Sequence, residues 1–482
     1  MIMANKESNL GITVKKDEDF SEWYTQTLTK SQFMDYTDVS GCMVFRPGCY
    51  AVWEIVKSEI DKRLKRLGIQ NSYFPLLIPE KLLNKEKEHV EGFSPEVAWV
   101  THTGNSKLPE RLAIRPTSET IMYPSYAKWI RSWKDLPLRL NQWNNVIRWE
   151  FKNAVPLLRS REFLWNEGHT VFAKKEEAER EIQDIINVWK EIGESYLALP
   201  GLIGQKSEKE TFAGAEYTHS VEYLLPNGKA IQGPDAHFDG QKFSKAFDIN
   251  FLDENVKKQY PYQNTFAFTT RMLGVMFAIH GDDKGLILPP KIAPNKVVIV
   301  PIYFKDSEKK VFNCATEIKE KLKKYNPILD CRADYRPGFK FHEWELKGIP
   351  LRIEIGPRDV EENKVVLVRR DNGQKSFVHI KEVDKKVKEI LYEIQEDLYA
   401  KAKEFLYSNI EEVNKFENFS KTIGHGKIVF TNWCGCPKCE EYIKGETGAK
   451  SLNIPLDQPD IKGKCIACEK DAKYKAYFGK SY

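Results

Sequence analysis

Three prolines in nine residues, "LPPKIAPNK" at 288–296, divide this chain more sharply than any other stretch. Proline fixes φ and removes a backbone donor, so neither a helix interior nor a central strand runs through such a segment, and it reads as a linker. With 482 residues the chain is long enough for two or three cores, and its texture changes at that point. Before the prolines it is rich in aromatics and mixes helical with strand-like runs. After them "VVIVPIYF", a Lys-rich helical stretch, "IPLRIEIG" and "KVVLVRR" alternate strand with helix, the texture of a small α/β domain. Near 401 helical sequence leads into a cysteine-rich tail. The expected domains are 1–294, 295–400 and 401–482.

Within the first region "YAVWEIVKSEIDKRLKRLG" predicts an amphipathic helix. Val52, Ile55, Val56, Ile60, Leu64 and Leu67 keep its period, basic residues gather in its last turns, and Gly68 ends it. "NSYFPLLIP" reads as a short buried strand. "EEAEREIQDIINVWKEIGESYL" predicts a second helix, with Ile182, Ile185, Ile186, Trp189 and Ile192 on one side. The opening "MIMANKESNL" lacks the apolar stretch of a secretory signal, and no run of about 18 apolar residues is present to span a bilayer. A cytoplasmic protein is the expectation. A net charge of +5 is too small to decide a partner; an anionic one must be met by a local patch.

Five of the nine cysteines fall in the tail. Cys434, Cys436 and Cys439 in "WCGCPKCEEY" face Cys465 and Cys468 in "KCIACEK" across a loop, a spacing that suits a tetrahedral thiolate site for zinc better than disulfides. Four thiolates leave no open position, so such a site is structural. The expected ligands are Cys434, Cys439, Cys465 and Cys468, with Cys436 the alternative to Cys434.

"NVIRWEF" (145–151) sets Arg148 and Glu150 one residue apart, and on a strand both face the same way. An isolated R-x-E is more often a structural pair than a functional one. No phosphate-binding loop of the Walker type and no G-x-G-x-x-G follows any strand. "KFSKA" and "TIGH" look like the lysine and histidine elements of class I aminoacyl-tRNA synthetases, but they stand in reversed order and in the wrong context.

Four longer stretches settle what that pair belongs to: "RLAIRPTSETIMYP", "LPLRLNQWNNVIRWEFKNAVPLLRSREFLWNEGHT", "GKAIQGPDAHFDGQKFSKAFDINF" and "FAFTTRMLGVMFAIHGDDKGLILPP". Together they resemble prolyl-tRNA synthetase, a class II aminoacyl-tRNA synthetase, of the archaeal and eukaryotic type. The likeness continues through "DYRPGFKFHEWELKGIPLRIEIGPRD" and the cysteine tail to "FGKSY". It implies an α+β multidomain fold: an antiparallel-sheet catalytic core, an α/β anticodon-binding domain and a small C-terminal α/β zinc-binding domain. It also implies a two-step reaction, in which proline attacks the α-phosphate of ATP and the prolyl group then passes to the 3′ end of tRNA(Pro).

By the same resemblance Arg148 takes the motif 2 position, where a permanently charged guanidinium forks two oxygens and draws two anions together. Glu150 would face adenine or anchor that arginine. Phe163 and the motif 3 residue Arg271 would sandwich the base, and Arg159 would meet the outer phosphates. Magnesium would accompany the ATP, with Glu150 and Gln232 as candidate partners. Thr117 and Glu119 match the T-x-E loop that binds proline's nitrogen; Trp165, Glu167, His169 and His237 would shape the ring pocket. Asp235 in "GPDAH" departs from the family, which usually has threonine there, and a carboxylate so close to ATP repels phosphate unless a cation or ribose hydroxyl faces it. Arg336, Phe339, Lys340, Glu345, Lys347 and Arg352 are the candidate anticodon contacts, Tyr482 would reach toward the active site, and the helix from about 50 with the strand near Pro75 would form a homodimer interface.

Two rivals remain: a catalytically silent synthetase-like RNA-binding or regulatory protein, and a class II enzyme for another amino acid such as threonine. The charges at Thr117–Glu119, Arg148 and Arg271 would be costly to bury without a use, which opposes the first. The second often employs a catalytic zinc, for which no cysteine–histidine set lies in the first region.

Overall fold

A period-two pattern in six antiparallel strands decides where this molecule keeps its core and where it opens a cavity. The computed structural model describes residues 11–89, 96–150, 153–304 and 306–482; the amino-terminal stretch read above for a leader, and Phe151, lie outside the described residues. Strands Leu138–Ile147, Glu162–Phe172, Tyr262–Thr269, Ala230–Gly240, Tyr217–Leu224 and Leu202–Gln205 are successive neighbours. Phe266, Phe268, Ala236 and Phe238 point into the core. Alternate residues, among them Thr265, Ala267, His237 and Glu167, face the other way and line a cavity.

Three helices cover the core face. Helix Pro47–Arg66 starts on a proline that lacks the donor the first turn would waste, and buries Val52, Val56, Ile60 and Leu64. Helix Lys175–Glu191 buries Ile182, Ile185, Ile186 and Trp189, as its period predicts. Helix Arg271–His280 is buried almost all round, and the three share one cluster with the sheet. "NSYFPLLIP" does not make the expected buried strand. Only Gln70–Asn71 and Leu77–Pro79 pair with neighbours; Phe74 and Ile78 are buried, while Tyr73, Leu76 and Leu77 stay exposed, Tyr73 with the Arg115 guanidinium 5.6 Å from its ring.

The second region is a five-stranded mixed sheet in the order Ile328–Leu329, Val297–Pro301, Leu351–Ile355, Lys364–Arg369, Lys375–His379. Helix Val383–Ser408 packs beside it and runs through residue 400, so the boundary expected there falls inside a continuous helix. The proline-rich segment is docked: Leu288 and Ile292 are buried in the first core, and the Lys291 amide donates to Gln395 of that long helix at 3.1 Å.

In the tail, strands Ile428–Trp433, Tyr474–Lys480 and Ala449–Pro455 form a sheet that does not stand apart. Ile454 pairs with Gln205 and Pro455 with Gly204, so tail and first region share one sheet of eleven strands.

Candidate functional site

The cavity on the open face has a volume of about 330 Å³. It brings together Thr117, Glu119, Arg148, Phe163, Trp165, Glu167, His169, Gln232, Asp235, His237 and Arg271, residues that span more than 150 positions of sequence. Neighbouring strands account for most of this. Trp165, Glu167 and His169 alternate along one of them, and Asp235 and His237 along another, with the strand Tyr262–Thr269 between them.

One of these residues is a buried carboxylate. Glu167 accepts from the Ser118 amide (3.1 Å) and hydroxyl (2.5 Å), from Gln142 (2.9 Å) and from Asn144 (2.6 Å), and lies 3.3 Å from His169. Burial alone would raise the Glu167 pKa. His169 and these donors outweigh it and hold the carboxyl below its ordinary range, while Glu167 in turn raises His169 against the opposing effect of burial. Beside them the Thr117 hydroxyl donates to Glu119 at 2.5 Å, and Trp165 donates its indole N–H to Asn144 at 2.6 Å. The walls are therefore aromatic and the floor carries acceptors, which suits a small cation with an apolar body.

Two guanidinium groups also line the cavity. Arg148 is held by the Pro116 carbonyl at 3.1 Å, with its Cζ 5.5 Å from the Phe163 ring and 5.2 Å from Trp165. Arg271 is partly buried at the start of its helix, donating to the carbonyls of Leu158 (3.1 Å) and Gln232 (3.0 Å); burial, then Arg148, lowers its pKa. Asp235 lies between these cations. Burial pushes its carboxyl upward, but His237, Arg148 and Arg271 outweigh that and keep it below its usual range. Its two oxygens meet Gln232 at 2.8 Å and His237 at 3.4 Å, and the other His237 nitrogen is 2.8 Å from the Thr218 hydroxyl. Asp235 thus sits in a cationic surround.

Some expected residues fall elsewhere. The strand that leads to Arg148 ends at Ile147, so Arg148 and Glu150 do not share a strand face, and Glu150 is exposed in a turn outside the cavity. The Arg148 amide still reaches the Arg161 carbonyl at 2.8 Å, but the next amide, of Trp149, turns to the Glu96 carbonyl at 3.3 Å. Arg159 is exposed beyond the cavity rim. Tyr482 does not line the cavity either, but its amide donates to Ala230 at 2.9 Å, two residues before Gln232, and its ring is packed on the first core.

Glu210, Phe212 and Thr218 line the cavity and were not anticipated. Their signal was a single aromatic in the polar run "KSEKETFAGAE", and Phe212 packs on the His237 ring at 4.7 Å. In the second region Phe339 is exposed and stacks on Tyr335 with ring centroids 4.6 Å apart, and Arg336 is exposed beside it. Lys340 and Arg352 are corrected: both are buried, Lys340 against Asp330 and Arg352 between Glu345 and Glu354. Glu345 is thereby engaged as well, and Lys347 pairs with Glu343 at 2.7 Å.

In the tail the sulfurs of Cys434, Cys439, Cys465 and Cys468 lie within 4.8 Å of one another, and Cys436 is outside the group. Cys434 is 3.6 Å from Cys439 and 3.8 Å from Cys468. Thiolates about 2.3 Å from a tetrahedral zinc would be separated by roughly 3.8 Å, so the set fits a metal ion of that kind.

An antiparallel sheet with paired arginines from a strand end and a following buried helix, sharing one cavity with acidic acceptors, defines a class II aminoacyl-tRNA synthetase core. Family models agree: residues 100–280 match the class II core domain of the G, H, P, S and T synthetases, 296–390 an anticodon-binding domain, and 416–482 the prolyl-tRNA synthetase C-terminal domain. The chain is 47% identical to the cytoplasmic proline–tRNA ligase of Arabidopsis thaliana, over 99% of this chain and 92% of that one. It is 46% identical to the proline–tRNA ligase of Alkaliphilus oremlandii over the full length of both. A crystal structure of prolyl-tRNA synthetase from Cryptosporidium parvum, complexed with halofuginone and AMPPNP, superposes with a TM-score of 0.94 at 46% identity, covering 98% of this chain and 100% of the other. The chain belongs to the prolyl-tRNA synthetases.

Proposed function

We propose that this chain activates L-proline with ATP to prolyl-adenylate and diphosphate, and transfers the prolyl group to the 3′ end of tRNA(Pro). The observation that carries the reading is the charge set of the cavity, which is lined by Arg148 and Arg271 together with Glu119 and Glu167. Proline's secondary ammonium has two N–H donors and meets the acceptors Thr117 and Glu119, while its ring lies against Trp165, Phe212 and the His169–Glu167 pair. That places the proline carboxylate near Arg148. The guanidinium holds it against the α-phosphate and offsets the charge that grows during attack. Phe163 and Arg271 bracket the adenine. No side-chain nucleophile is required, because the proline carboxylate itself attacks.

ATP brings magnesium, which supplies charge neutralisation on the polyphosphate. Gln232 and Asp235 are the groups of this chain in reach of it inside the cavity, and Glu150 is not. The four thiolates of the tail hold a structural zinc. Anticodon bases are read from the surface that presents Tyr335, Phe339 and Arg336. A homodimer accounts for the exposed strip of Tyr73, Leu76 and Leu77, which belongs to the segment expected at the interface. No helix among the described residues is long and apolar enough to cross a membrane, and the cytoplasm is the proposed location.

The test is proline-dependent exchange of labelled pyrophosphate into ATP, with threonine and alanine as controls. Strong exchange with proline is expected. Its absence, or a preference for threonine, overturns the reading.

A further inference from the structure

The second region meets the first at a seam between two ten-residue helices. Helix Arg271–His280 begins in the cavity at Arg271; helix Pro337–Leu346 begins beside the exposed Tyr335–Phe339 stack. They come together at their carboxyl ends. Leu286 donates its amide to Leu346 at 3.0 Å and Leu288 to Gly348 at 3.2 Å. Gly285 and Gly348 have φ of +133° and +73°, and a Cβ on Gly285 would lie 2.5 Å from the Leu346 carbonyl oxygen, one on Gly348 2.7 Å from Leu286 backbone atoms. Each strand of the seam therefore needs a glycine to let the other approach.

Two helix carboxyl ends and the Asp282 carboxylate bring negative charge to one place. Two cations answer it. Lys16 donates to the carbonyls of Ile279 (3.0 Å) and Gly281 (2.6 Å), capping the first helix. Arg370, from the far side, donates through Nε to the Glu345 carbonyl at 2.7 Å and through both Nη atoms to Asp282 at 2.8 and 2.5 Å. Its side chain is only 2% exposed. One guanidinium thus bolts the end of the helix that starts at the anticodon face to the end of the helix that starts in the catalytic cavity.

We propose that Arg370 is a positioning residue for tRNA, fixing the span between the cavity and the anticodon face so that one tRNA engages both at once. The inference rests on the ligase reading. A ligand held at two points gains from the second only when the span between the two sites is fixed to suit it. Each helix is about 15 Å long at 1.5 Å per residue, and the bidentate Arg370–Asp282 contact is the side-chain tie that joins their ends beside the Leu286–Leu346 and Leu288–Gly348 amide bonds. Loosening it leaves both sites intact but uncouples their placement.

The test compares Arg370→Lys, which cannot fork two oxygens, and the near-isosteric Asp282→Asn, both as the full-length chain with melting temperature recorded. Three activities are measured: pyrophosphate exchange without tRNA, charging of tRNA(Pro), and charging of tRNA(Pro) with substituted anticodon bases. Expected is a loss of tenfold or more in kcat/KM for native tRNA(Pro), unchanged exchange, and a collapse of the ratio between native and anticodon-substituted tRNA. If native charging is unchanged, or if exchange and both charging reactions fall by the same factor, the proposal is overturned. Failure of the unmodified chain to support proline-dependent exchange would instead overturn the ligase reading itself.

Discussion

Lys450, on a strand of the cysteine-rich tail, reaches to within 3.3 Å of the carboxylate of Glu210, which lines the catalytic cavity of the first region. Ser207, which caps the short turn leading to Glu210, likewise donates to Glu440 beside the thiol Cys439 at 3.2 Å. The tail therefore buttresses one wall of the cavity. Lys450 and Glu210 are both partly exposed, and pairs of that kind contribute about 1 kcal/mol or less. Replacing Lys450 with methionine is expected to raise the KM for proline by up to about fivefold with kcat little changed. Steady-state exchange kinetics check this.

Arg148→Leu should fold normally and lose proline-dependent exchange by about a hundredfold or more, the scale for removing a donor aimed at developing charge. Circular dichroism confirms the fold, and the exchange assay reads the loss. Glu150→Gln, in an exposed turn, is expected to change exchange by less than about threefold on the scale of surface substitutions.

The contrast between those two residues shows where sequence reading ends. The cation was legible because the stretches around it carry a family pattern. The position of Glu150 was not, since it depends on where the strand stops, and there the Trp149 amide turns to the distant Glu96 carbonyl. Helices at 47–66 and 175–191 were legible from periodicity alone, because each packs one face on one core. Lys340 and Arg352 looked like surface cations for want of knowing that Asp330, Glu345 and Glu354 stand opposite them. Pairing of Ile454 with Gln205 across some 250 residues leaves no local trace at all.

Spacing left Cys434 and Cys436 as rivals, and the fold separates them. Cys436→Ser should retain a full equivalent of zinc per chain, whereas Cys439→Ser should lose it and lower the melting temperature, because a module this small draws much of its stability from the metal. Elemental analysis and thermal melts distinguish the two variants.

Two buried histidines should make stability fall in mild acid. Burial holds His219 and His280 down to about 4, from an ordinary value near 6.5. Between those values the unfolded chain takes up protons at these positions that the folded chain refuses, so their contribution to stability is full above about pH 6.5 and is lost as pH drops toward 4, by up to about 1.4 kcal/mol per pH unit for each histidine. His280 lies 2.8 Å from the Leu197 carbonyl, a contact that glutamine can keep. His280→Gln is expected to flatten part of that slope in urea melts recorded across this range.

Because Ala449–Pro455 extends the sheet from Leu202–Gln205, the tail also works as a lid on a raw edge. A chain cut before it would leave Leu202–Gln205 with open backbone groups along one side, a template on which other chains can add strands. Trimmed versions made for crystallography or screening should therefore clump as well as weaken, and retaining the tail is a matter of solubility as much as of chemistry.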